Sequence, residues 1–257
     1  MIFGIALGIG LLAGPGSASV SSAALYSRSV DLPANALVVG TWPASDYRSV
    51  ATGPWSTAAT WQRFNGASWV AAARSPESGD GVVTVRSPNV VTADLNDDVA
   101  HVVVAAGAQL LVASGVTLTA DSASPTSIDI SGTVSVAGTL SFLPSATVSI
   151  EAGGLLLDSG TIAGAGSIVS IGGSIQASAG PRMVALPISL TAGLTVAGIE
   201  NLTLTGSITG SGAMTKTGTG TLTLSAANTY TGVTTVSAGT LALGIANAIG
   251  SGSATTV

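Results

Sequence analysis

The sequence predicts an all-β chain: a right-handed parallel β-helix, or β-solenoid, of short strands, with a Trp-rich N-terminal capping segment. Three observations carry that expectation. Apolar residues alternate with Ser and Thr through much of residues 81–257, and Gly falls where each strand should stop. The third is repetition. GTLTL at 220–224 returns as GTLAL at 239–243, within a run (212–243) made almost wholly of small, β-branched and Leu residues. A turn–strand unit used twice points to stacked repeats. Such repeats are scaffolds more often than active sites.

Composition fits this reading. Hydrophobic residues are 46% of the 257-residue chain but aromatic residues only 4%, so Val, Leu, Ile and Ala must fill the core. Charged residues are 7%, against roughly 25% in an average globular protein. Hydroxyls rather than ions keep the surface wet. A charged disordered tail is excluded, because it needs high charge and little hydrophobicity. The net charge is −5. Residues 25–80 balance Arg28, Arg48, Arg63 and Arg74 against Asp31, Asp46, Glu77 and Asp80, whereas residues 81–257 set Arg86, Arg182 and Lys216 against eight acids. With no basic cluster to neutralise phosphates, nucleic acid is excluded as a partner. The chain has no Cys, which removes disulfides, thiolate metal sites and a Cys nucleophile. It is also compatible with bacterial export.

The elements follow in order. Residues 1–24 carry no charge, and the apolar run from Ile2 to Ala13 has the length of a signal-peptide core, too short to span a bilayer. Small residues follow, and Gly16–Ser17–Ala18 or Ser22–Ala23–Ala24 fits a cleavage site, although no Lys or Arg precedes the run. Residues 1–24 are therefore expected to be a signal peptide. Residues 25–80 hold all four Trp (Trp42, Trp55, Trp61, Trp69) together with Phe64. They are expected to cap the first coil with bulky rings.

Residues 81–257 read as solenoid. Segments such as 82–86, 99–105, 109–113, 116–120, 127–131, 133–137, 139–143 and 147–151 alternate with period two. An antiparallel sandwich would need hairpin signals. Asn65–Gly66 and Asp80–Gly81 are such signals, but none follows residue 81. Corners of Ala-Gly, Ser-Gly and Gly-Gly favour parallel coils of about 20 residues, eight or nine in number, rising about 4.8 Å each. The chain ends within what should be a further coil, so the solenoid is expected to be truncated at its C-terminus.

Within it, Ile208, Gly210 and Gly212 lead into Met214–Thr215–Lys216, then Gly218, Gly220–Thr221–Leu222 and Leu224. Asn228, Tyr230, Gly232 and Thr234 follow, then Ala238–Gly239–Thr240–Leu241. Residues 207–243 on these positions resemble the autotransporter-associated β-strand repeat, the passenger-associated transport repeat. Met214 stands where Leu is commoner. The resemblance implies an exported bacterial β-helix, in which the repeat serves transport and folding of a passenger rather than chemistry. Residues 47–86 more loosely resemble the leading Trp-rich segment of exported solenoid surface proteins. The membrane barrel that ends classical autotransporters has no counterpart in the sequence.

No catalytic, cofactor or metal residue is assigned. The alternative function is a carbohydrate-active solenoid enzyme, similar to polysaccharide lyases, which use clustered Asp for Ca²⁺ and a Lys or Arg base. Asp94, Asp97 and Asp98 supply oxygens suited to Ca²⁺, with Arg86 the nearest base in sequence, but a solvated corner loop is the favoured reading of them. His101 is the sole His and reads as a solvent-face strand residue. Without a second His it makes no two-His metal site. Gly164/Gly166 and Gly218/Gly220 have no helix after them and read as corners, not phosphate loops. Gly153–Gly154 before Asp158 lacks the spacing of a calcium turn. Asn201–Leu202–Thr203 is formally a sequon. Thr-x-Thr pairs, at 117/119 and 221/223 among others, place hydroxyls about 6.6 Å apart on one face. That array suits ordered water, as on ice-binding solenoids, but most of the pairs lie inside the repeat, which already explains them. The expected function is a non-enzymatic, adhesin-like passenger on the bacterial surface. It takes no cofactor, and its partners would be surface glycans, matrix, other surface chains and the export machinery.

Overall fold

The computed structural model of the chain describes residues 45–121, 126–250 and 252–257. The signal-peptide expectation for residues 1–24, and the part of the cap that contains Trp42, lie outside the described residues. Among the described residues the chain is all-β apart from one 3-10 turn at Ala58–Thr60.

The strands are β1 (Tyr47–Ser49), β2 (Gly53–Pro54), β3 (Trp61–Phe64) and β4 (Trp69–Ala71), after which they come in threes. The first full coil is β5 (Val82–Val85), β6 (Val90–Ala93) and β7 (Asp97–Val99). The second is β8 (His101–Val104), β9 (Gln109–Val112) and β10 (Thr117–Ala120). The third is β11 (Ile128–Ile130), β12 (Thr133–Val136) and β13 (Thr139–Phe142). The fourth is β14 (Thr147–Ile150), β15 (Gly154–Leu157) and β16 (Thr161–Gly164). The fifth is β17 (Ser167–Ser170), β18 (Ser174–Ala177) and β19 (Arg182–Val184). The sixth is β20 (Ile188–Leu190), β21 (Leu194–Ala197) and β22 (Leu202–Leu204). The seventh is β23 (Ile208–Gly210), β24 (Met214–Lys216) and β25 (Thr221–Leu224). The eighth has only β26 (Thr234–Val236) and β27 (Thr240–Leu243), and β28 (Thr255–Thr256) begins a ninth.

Strands pair in parallel with their counterparts one coil on, except β16 and β19, which gives three faces. Face one runs from β1 through β5, β8, β11, β14, β17 and β20 to β23. Face two runs from β2 through β6, β9, β12, β15, β18, β21, β24 and β26 to β28. Face three consists of two sheets, β7–β10–β13–β16 and β19–β22–β25–β27. This is a parallel β-solenoid of about eight turns. Ile128, Val148, Ile168, Ile188 and Ile208 form one register column, twenty residues between successive members. Val102 stands opposite Ile128, a step of 26. The surplus falls between β10 and β11, in a segment that includes 122–125, outside the described residues.

Alternation explains the burial. In β9, β12 and β18 every second side chain is buried and its neighbour partly exposed. Columns such as Leu110–Val134–Leu155–Ile175 pile aliphatic side chains along the axis, all at or below 1% exposure. Each such side chain contributes roughly 1.5–3 kcal/mol by leaving water. Ser170 also points inward, and its hydroxyl donates to the Gly193 carbonyl at 2.7 Å, which offsets the cost of burying it.

At the N-terminal end, face one changes character. β1 pairs in parallel with β5 but antiparallel with β3, and β3 pairs antiparallel with β4. Asn65–Gly66 turns that hairpin: the Asn65 side-chain oxygen accepts from the N–H groups of Ala67 and Ser68, and Gly66 has φ of 96°. Trp55 and Trp61 meet edge to face at 4.9 Å. Both are buried in the same apolar cluster as Val83 and Val91. The indole N–H of Trp61 donates to the Trp55 carbonyl at 2.8 Å. Trp61→Ala should cost about 3–5 kcal/mol in urea-induced unfolding. A change below about 1 kcal/mol would show that the ring is not packed as described.

Candidate functional site

The residues suited to calcium and lyase chemistry are not brought together. Asp94 sits at the corner after β6, and its carboxylate accepts from the Ser56 N–H at 3.0 Å and the Ser56 hydroxyl at 2.6 Å. Burial alone would raise its pKa, but the Ser56 bonds overcome that and hold it below the ordinary aspartate value. Asp97 and Asp98 are not in a loop, as the sequence suggested, but in strand β7. Asp97 accepts from the Trp55 indole N–H at 3.0 Å. Burial pushes its pKa up, against the stabilising bonds from the Asp98 N–H and Trp55. Asp98 is exposed. Arg86 follows β5 at a different corner, near enough to Arg48 for their charges to repel. Among the described residues, no group of three His, Asp or Glu side chains is placed to hold a metal ion.

His101 lies on β8, as expected for a solvent-face strand residue, and its Nε2 is 2.9 Å from the Asp129 carboxylate on β11. That pair and the Trp55–Asp97 bond were not visible in the sequence, because coil stacking brings together residues 28 and 42 positions apart. Ser78, Asn96, Asp97, Asp98, Thr117 and Thr119 line a shallow, open groove of about 350 Å³. On face two an outward hydroxyl column runs Ser174, Thr195, Thr215, Thr235 and Thr256. On face three Thr117, Thr139 and Thr161 form a column, but its neighbour runs Thr119, Ser141 and Ala163.

The Gly-rich segment of the seventh and eighth coils is different, because its polar residues are buried and bridge coils. Lys216 occupies the inward column of face two above Val196 and is 2% exposed. Its ammonium donates to the carbonyls of Thr217 at 2.6 Å and Gly218 at 2.8 Å, and reaches Ala238 one coil on at 3.4 Å. Burial lowers its pKa. Gly218 and Gly239, at φ 73° and 76°, aim the surrounding backbone. A Cβ on Gly239 would lie 2.4 Å from the Gly218 carbonyl oxygen and 2.8 Å from the ammonium.

Asn228 spans three coils. Its side-chain oxygen accepts from the Ile208 N–H at 2.7 Å, and its amide donates to the Ala248 carbonyl at 2.5 Å. The buried Tyr230 hydroxyl is 2.6 Å from Thr234 Oγ1, which is 2.9 Å from Ser253 Oγ. Gly212 permits the closest corner: a Cβ there would lie 1.3 Å from the Ala192 carbonyl oxygen. Leu222 and Leu224 fill the apolar core. Asn228, Thr234 and the long Lys216 contact to Ala238 thus bridge coils, while the shorter Lys216 bonds and the Tyr230–Thr234 pair brace a single corner. The sequence showed the motif but not these roles. The one sign was a lone Lys in an alternating strand.

Two outcomes check this geometry. Asn228→Ala strands a buried donor and a buried acceptor, so it should cost about 2–5 kcal/mol by chemical denaturation. Its effect should centre on the last coils in hydrogen exchange. For Asp97, the folded value lies above the ordinary 3.8. Between those values the folded state holds more protons than the unfolded state, so this carboxylate's contribution weakens stability as pH rises through that window. Thermal melts should therefore show Asp97→Asn losing that slope relative to the parent. An unchanged slope would contradict the burial of Asp97.

Residues 214–243 match the family model described as passenger-associated-transport-repeat. The match begins at Met214, seven residues later than the 207 expected from the sequence, and covers β24 through β27. No curated protein and no solved structure matches the chain. The buried ammonium, the coil-spanning asparagine and the tight glycine corners are therefore the physical content of that match: the chain carries a passenger-associated transport repeat, set in the seventh and eighth coils of a β-solenoid.

Proposed function

We propose that this chain is a non-enzymatic, passenger-like structural rod of an exported bacterial surface protein. The observation that carries the reading is the repeat at 214–243, whose buried Asn228 and Lys216 make bonds from coil to coil. A rod of stacked coils holds whatever it displays away from a surface, and its hydroxyl-rich outer rows suit weak, repeated contacts. Surface glycans, matrix and other surface chains are the partners of that chemistry, with the export machinery met in transit. No nucleic acid or small-molecule cofactor is needed. The lack of Cys suits a chain threaded unfolded across membranes.

The test is localisation. Expressed as the full chain in a double-membraned bacterium, the protein should reach the periplasm or outer surface. External protease should then cleave it on whole cells, or after the outer membrane is opened. Material confined to the cytosol of intact, export-competent cells would defeat the proposal.

A further inference from the structure

Face three is interrupted where faces one and two are continuous. Its two sheets end at β16 and begin again at β19, and no ladder joins them. The bonds at the following corner show the same gap. The residue after each face-three strand donates to the strand end one coil earlier: Leu143 to Ala120, Ala165 to Phe142, Thr205 to Val184, Ser225 to Leu204 and Gly244 to Leu224. The corresponding bond from Ala185 to Gly164 is missing. Across the same pair of coils the other faces are zipped. Ser167 donates to Ala146, Ile171 to Ile150, Ser174 to Gly153 and Ser178 to Leu157.

The corner between faces two and three varies in length below the gap, with three residues before β7, four before β10, two before β13 and three before β16, and those strands still pair. Above the gap four residues precede each of β19, β22 and β25, and those strands pair among themselves. The chain is thus two stacks joined along two faces out of three.

Two side chains bond across this level at the corner beside the gap. Arg182 opens β19, and its Nε donates to the Asp158 carbonyl of the coil below at 3.0 Å, while Nη2 donates to the Ala179 carbonyl. The Ser178 hydroxyl donates to the Asp158 carboxylate at 3.2 Å, at an exposed position. Only Arg182 does so from a face-three strand. We propose that this seam is a hinge built into the rod: face three opens and closes about the continuous corner between faces one and two, with Arg182 as the strap that limits it. Unpaired strand edges make this the locally weakest level of the stack, so bending strain concentrates there rather than spreading along the coils.

Hydrogen exchange on the full chain tests the seam directly. Amides of β16 and β19 should exchange at least about tenfold faster than those of β13 and β22. Arg182→Ala should quicken both seam strands and leave β13 and β22 unchanged. Arg182→Lys, which keeps the charge but loses the two-pronged donor, should fall between. Equal protection along face three, or an acceleration spread over all coils, would overturn the proposal. Motion is read separately by spin labels, since the chain has no native Cys. A Thr119→Cys/Thr203→Cys pair straddles the seam on face three, and a Thr133→Cys/Thr215→Cys pair crosses the same level on face two. The hinge requires a broader distance distribution for the first pair, broadened further by Arg182→Ala. Equal widths would show a static gap and reject the hinge.

Discussion

In a parallel ladder each residue stands over its counterpart one coil earlier, and the rest of this structure depends on that registration. A side chain is never packed alone, because it must suit the column above and below it. The column Val102–Ile128–Val148–Ile168–Ile188–Ile208 meets the demand with branched aliphatics alone. Backbone N–H and C=O groups are satisfied between coils, so the stack tolerates a composition with very few ions. Corners absorb differences in length, as the two to four residues before β7, β10, β13 and β16 show while those strands stay paired.

The transport repeat handles the same constraint differently. Where face one has no strand in the eighth coil, side chains add to the backbone bonds that Asn228, Thr229 and Thr231 still make to neighbouring coils. Asn228 stands in at that level, bonding both the coil below and the coil above. Lys216 ties the carbonyls of a tight corner that its glycines make possible. A buried ammonium is costly unless its donors are used, and here the three carbonyls around it are the compensation. Polar residues in this core therefore specify where a corner lies, while the apolar columns supply most of the stabilisation.

Much of this was legible in the sequence. Strict alternation marked β5 and β8 through β14 to within a residue or two, and Gly marked their corners. β7 was not legible, since Asn96–Asp97–Asp98 shows no alternation, and an edge strand with only one partner on its face does not require it. The segment 99–105 read as one strand but is bent at Ala100 into β7 and β8. The roles of Trp55 and Asp97 were hidden because they meet only through stacking. The seam was hidden too, because the four-residue corner at 178–181 has the same length as the one at 113–116, whose strand β10 is paired on both sides. At the repeat, the motif was recognisable, but the burial of Lys216 depends on the Gly218 and Gly239 geometry around it.

The constant twenty-residue step between Ile128 and Ile208 has an implication for how such a chain changes over time. Removing or duplicating one whole coil, cut at equivalent points of face one, carries every column onto an equivalent column. The unit is the coil and not a fixed residue count, since Val134 to Leu155 on face two is 21 residues and Leu118 to Leu140 on face three is 22. Reach therefore becomes a quantity that varies in whole coils of about 4.8 Å, without redesign of the core. The gap between β16 and β19 sets the limit on that freedom, because face three has no ladder there to receive an added strand.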